Sequence, residues 1–122
     1  MVGGGRLLSQ GEVESEIMRL SEVLEEETHR HADLCELEAE SEIAFKKRHD
    51  TLTIHEANRD ALQERKVLAA ERSARVNLAS ADEFAVMRIN QARRTASKET
   101  LVSVRQQIDA LRTLAANIRS QT

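Results

Sequence analysis

Residues 101–118 read LVSVRQQIDALRTLAANI, and within them Leu101, Val104, Ile108, Leu111, Ala115 and Ile118 recur at alternating steps of three and four. An α-helix turns once in about 3.6 residues, so this spacing gathers all six side chains on one narrow face. Such a face is the seam along which one helix packs against another. The same rhythm opens the chain, where Val13, Ile17, Leu20 and Leu24 step by four, three and four. Just before them Ser9 stands three residues ahead of Glu12, the spacing of a capping box, and Leu8 is placed to staple onto Val13. Thr28 and His31 interrupt this first seam, and Leu34, Leu37 and Ala44 are read as resuming it.

The rest of the composition agrees with long helices. The 122 residues contain no proline, and all four glycines (Gly3, Gly4, Gly5, Gly11) fall in the first eleven positions. Beyond Gly11 the chain therefore lacks the two residues that most often punctuate turns. Good helix formers, chiefly Ala, Leu, Glu, Arg and Gln, dominate instead. Phe45 and Phe84 are the only aromatic residues, so a core has to come from aliphatic stripes. The expected fold is all-α, either a long antiparallel helical hairpin or a three-helix coiled-coil-like chain, and one that oligomerises.

Boundaries follow from the punctuation that remains. Residues 1–8 read as a tail and residues 9–122 as a single helical domain. His49-Asp50-Thr51-Leu52-Thr53 carries two poor helix formers, and Thr53 with Glu56 repeats the capping-box spacing. The predicted layout is a helix over 9–49, a turn over 50–53 and a helix over 54–121. At 1.5 Å per residue these helices would span about 60 Å and about 100 Å, leaving an overhang with an apolar stripe. Either the second helix bends near residues 80–82, where Ser80 and Glu83 form a third capping-box pair, or the overhang pairs with another subunit.

Charge is divided along the chain. Net charge is −3 overall, but Glu12–Glu42 holds twelve acidic and two basic residues, and Ile43–Thr122 holds nine acidic and fifteen basic. The first arm is acidic and the second basic. The arms can attract each other, or the basic surface can meet a polyanion. No apolar run approaches the about 18 residues needed to span a bilayer. The N-terminus has neither an apolar signal core nor a glycine directly after Met1, and the single Cys35 cannot form an intrachain disulfide. A cytoplasmic protein is expected.

Catalytic parts are sparse. His29 and His31 are two apart and point to different sides of a helix. Glu27, His31 and Cys35 share a face at four-residue steps and include zinc-ligating types, but no fourth ligand follows at typical spacing. His49 and His55 flank the predicted turn and are read as solvated. There is no nucleophile–base pattern and no phosphate-cradling glycine loop. No enzyme, cofactor or metal site is expected.

Lys46-Lys47-Arg48 is the densest basic run. Cations at a helix C-terminus also serve the macrodipole, so the run alone does not demand a ligand. Arg59, Arg65 and Lys66 add further candidates for contact with a phosphate backbone, and Arg72, Arg75, Arg88, Arg93, Arg94 and Lys98 continue the supply. With no Tyr or Trp, and only Phe45 available for stacking, such binding would be electrostatic, indifferent to sequence and strongly salt-dependent.

Residues 21–52, SEVLEEETHRHADLCELEAESEIAFKKRHDTL, resemble without gaps the central region of the UvsY family of bacteriophage recombination mediators. The likeness centres on Ala44-Phe45-Lys46-Lys47-Arg48-His49-Asp50, where the family has an alanine, a large apolar residue, a lysine, any residue, an arginine and an acidic residue two on. Ser80-Ala81-Asp82 and Ile108-Asp109-Ala110-Leu111-Arg112 match further windows in the same order, so that about half the chain is covered. The aromatic residues of the family's later helix have no counterpart here. The resemblance implies a homo-oligomer, ring-like, that binds single-stranded DNA and helps a recombinase displace single-strand-binding protein. It also implies that Lys46 and Arg48 are the principal DNA contacts, which their short spacing is read as letting one helix face present, and that the seam Leu101–Ile118 serves assembly. The alternative kept beside it is a scaffolding coiled-coil phage protein whose charges only set pairing register.

Overall fold

A computed structural model describes residues 8–63 and 66–121. Three helices follow in order, α1 (Gln10–Ala61), α2 (Ala69–Ala79) and α3 (Ala81–Ser120), with no strand among the described residues. The chain is all-α. α1 starts where the capping signal places it, with the Glu12 backbone N–H donating to Ser9 Oγ at 3.2 Å. The tail over 1–8 lies outside the described residues except for Leu8.

The turn expected at 50–53 is not there. α1 runs straight through His49–Thr53 for 52 residues in all. The two threonines are absorbed because each hydroxyl bonds back to the carbonyl four residues earlier. Thr51 Oγ1 donates to Lys47 O and Thr53 Oγ1 to His49 O, both at 2.8 Å. A lowered propensity of a few tenths of a kcal/mol per residue does not end a helix whose Leu52 side chain is buried. The chain instead leaves α1 after Ala61, where the Leu62 and Gln63 amides bond only three residues back, to Arg59 O and Asp60 O. α2 and α3, of 11 and 40 residues with Ser80 between them, then match α1 in length. α2 gives way to α3 at Ser80, a one-residue break inside the segment 80–82 where a bend is expected. Ser80 has φ −104° and ψ 11°, while its N–H still reaches Val76 O and its own carbonyl accepts from the Phe84 amide.

The chain divides into two compact units, Met1–Ala32 with Ala96–Thr122, and Asp33–Thr95. The first is an apolar antiparallel pair. Leu20, Val104 and Ile108 are buried together, with Ile17, Val23, Leu24 and Leu111 packed on them. Val13 and Ala115 are buried as well, and His31 Nδ1 is hydrogen-bonded to Ser97 Oγ at 3.3 Å. Burial of a Val, Leu or Ile side chain stabilises by about 1.5–3 kcal/mol, which makes these few residues the main attraction in the unit. The whole seam Leu101, Val104, Ile108, Leu111, Ala115 and Ile118 is buried or half-buried inside the single chain.

The second unit, also antiparallel, is joined by polar groups. Along α1 the covered positions include Leu34, Glu38, Ser41, Phe45, His49 and Leu52, whereas Leu37 and Ala44, expected to carry the seam, are exposed. Arg94 pairs with Glu38, Asn90 Nδ2 donates to the Leu37 carbonyl at 3.4 Å, and Arg48 Nε stands 3.7 Å from Glu83 Oε1. Among the described residues of this unit, Leu52 and Val76 are the buried hydrophobics. Polar groups at seam positions fix register more than they add stability.

Candidate nucleic-acid interface

The basic run lies inside α1 of the second unit, not at a helix end, so the macrodipole does not account for it. Successive helical residues are turned by about 100°, and the three side chains diverge accordingly. Lys46 pairs with Glu42 on its own helix at 3.2 Å, while Arg48 turns toward α3 and Glu83. Lys47 is exposed and has no ion pair among the described residues. The structure thus does not present Lys46 and Arg48 side by side on one face, since positions two apart on a helix point to opposite sides. Lys46 remains 68% exposed and Arg48 48%. Surface pairs of this kind contribute about 0–1 kcal/mol, little enough for a phosphate to displace.

The additional candidates separate into distinct groups. Arg59 lies 3.8 Å from Glu56 on the surface, Lys66 is exposed, and Arg65 lies outside the described residues. Arg72 and Arg75 are committed to the turn. Arg72 Nε donates to Asp60 Oδ2 at 2.8 Å, and Arg75 Nη2 donates to both Asp60 oxygens at 2.6 Å. Arg75 also lies 3.2 Å from Glu56. The Asp60 side chain is only 2% exposed. The Arg72 hydrogen bond above all, with the Arg75 bond and the charge of both guanidiniums, holds its carboxyl below the ordinary value against the opposing effect of burial. Arg75 is raised in turn by its hydrogen bond to Asp60. Arg94 is likewise taken by Glu38. Arg93 and Lys98 are exposed without an ion pair among the described residues.

The fold brings Phe45, the residue expected to offer a stacking surface, together with Phe84 beside the basic run. The Phe45 and Phe84 rings meet edge to face, with centroids 5.3 Å apart and planes at 66°. His49 stacks obliquely on Phe45 at 5.6 Å, and its Nε2 is hydrogen-bonded to Asn77 Oδ1 at 3.3 Å. An open cavity of about 490 Å³ is lined by Phe45, Asn77, Ser80, Ala81, Phe84 and Ala85. The break at Ser80 and the alanines beside it leave this space unfilled. Residues 39 positions apart gave no local signal of meeting; the antiparallel register of the second unit supplies it.

Among the described residues no group of three His, Cys, Asp or Glu side chains is arranged to hold a metal, and His31 faces Ser97 within the first unit. No described helix is long and apolar enough to cross a membrane. No protein-family model matches the chain, and neither the curated proteins nor the solved structures give a match.

Proposed function

We propose that this chain is a binding protein, not an enzyme, that holds single-stranded DNA as an oligomer and acts as a recombination mediator, assisting recombinase loading and displacement of single-strand-binding protein. The observation that carries the DNA-binding part is the exposure of Lys46, Lys47 and Arg48 in mid-helix, each with at most one weak surface ion-pair partner among the described residues. The mediator role rests on the resemblance of residues 21–52 to the UvsY family. A few cations per subunit bind weakly, so affinity depends on several copies acting on one strand. The seam Leu101–Ile118 is satisfied within one chain, and surfaces for assembly are therefore sought elsewhere. Ile43, Ile54, Leu78 and Ile89, all more than half exposed in the second unit, are among the apolar side chains that such contacts would cover.

The scaffolding alternative has one observation in its favour. Arg72, Arg75 and Arg94 are spent on internal acids, as charges that only set pairing register would be. Titration of a fluorescent thymidine oligonucleotide at low salt separates the two readings. DNA binding predicts saturable affinity that drops at least tenfold in the Lys46→Ala, Lys47→Ala, Arg48→Ala triple variant. Absence of binding by the unaltered protein at low salt removes the proposal and leaves the scaffold.

A further inference from the structure

From the geometry of the second unit we infer that the open cavity lined by Phe45 and Phe84 receives an unstacked base of the bound single strand. This rests on the DNA-binding reading and deepens it. The two phenylalanines are the only aromatic residues of the chain, and both line one open cavity of about 490 Å³. That size lies within the range of small-ligand pockets, which combine apolar walls with a few placed polar groups. Here the walls are the two rings with Ala81 and Ala85. The polar group is Asn77, whose Oδ1 is bonded to His49 and whose amide N–H groups can donate to a base carbonyl.

Ring surface is available. Phe84 is 38% exposed, and the edge-to-face contact with Phe45 leaves the pair offset instead of stacked flat. Arg48 follows Phe45 by three residues and so lies on the same side of α1, turned toward Glu83 beside Phe84, which places one cation for a flanking phosphate on the ring side. Aromatic side chains beside a basic track are how proteins hold single strands without reading sequence. A duplex keeps its bases stacked and offers none to the cleft. The arrangement consequently selects single-stranded over double-stranded DNA, which cations alone would not do.

The test compares a thymidine oligonucleotide with an abasic strand of equal length and charge, on the full chain, in wild type and in Phe84→Leu. Leucine keeps apolar bulk but has no ring face, and circular dichroism verifies that helicity is retained. Wild type is expected to bind the thymidine strand about tenfold more tightly than the abasic one. Phe84→Leu is expected to bind both at the abasic level. Equal binding of the two strands by wild type overturns the base cleft while leaving electrostatic DNA binding in place. Retention of the preference in Phe84→Leu shows that bases are held elsewhere and also overturns it. If neither strand binds at low salt, this inference and the DNA-binding reading fall together.

Discussion

Ile108→Ala and Leu114→Ala, two substitutions on α3, distinguish a seam closed within the chain from one kept for other copies. Ile108 is 3% exposed and packs with Leu20 and Val104, whereas Leu114 is 38% exposed. Truncating Ile108 removes three buried carbons, worth about 0.8 kcal/mol each, and leaves a cavity between helices, so the expected loss is about 3 kcal/mol. For a chain of this length the entropy of unfolding converts that to a fall in Tm of about 12 °C. Leu114→Ala gives up partly solvated surface and gains helix propensity, and should cost under about 1 kcal/mol. Thermal melts followed by far-ultraviolet circular dichroism, at two protein concentrations tenfold apart, give both numbers. A Leu114→Ala loss equal to or larger than that of Ile108→Ala would refute the packing described for the first unit. So would an Ile108→Ala effect seen only at the higher concentration.

Two further outcomes follow from the second unit. Asp60 has a depressed pKa in the folded chain, so its contribution to stability is present above the ordinary aspartate value of about 3.9 and is lost as pH falls through its own lower value. Urea melts across pH should show Asp60→Asn clearly weaker than wild type near neutrality, with the gap closing below about pH 4; a gap that stays constant would mean that its charge is not what joins α1 to α2. Replacing Thr51 and Thr53 together by Ala should raise stability by about 1 kcal/mol, because both lie inside a helix, whereas a loss of that size would restore a capped turn at that place.

The apolar half of this fold is legible in the sequence and the polar half is not. Val13, Leu20, Leu101, Val104 and Ile108 announce themselves because hydrophobic side chains at heptad spacing have few other uses. In the second unit the seam positions include Glu38, Ser41, Asn90 and Arg94, which a search for apolar period passes over. Leu37 and Ala44 look like better seam residues than their neighbours, yet the register set by the Asn90 bond to the Leu37 carbonyl leaves both exposed. The turn escaped for a related reason. No glycine or proline marks residues 62–68, and what turns the chain is Asp60 gripping Arg72 and Arg75, a contact across twelve and fifteen positions. The break at Ser80 falls where Ser80 and Glu83 have capping-box spacing, although the Ser80 hydroxyl bonds back to the Val76 carbonyl instead of capping α3. At the candidate interface the cations were visible as a run, but their divergence around α1 and the meeting of Phe45 with Phe84 both required the three-dimensional register.

The dependence of single-strand affinity on salt tests the functional account most directly. Each phosphate neutralised on a single strand contributes about −0.7 to the slope of log affinity against log salt. Engagement of Lys46, Lys47 and Arg48 therefore predicts a slope of about −2 for each subunit on the strand, falling toward zero in the triple alanine variant. A flat line for the unaltered protein, or a slope indifferent to those three substitutions, would contradict it.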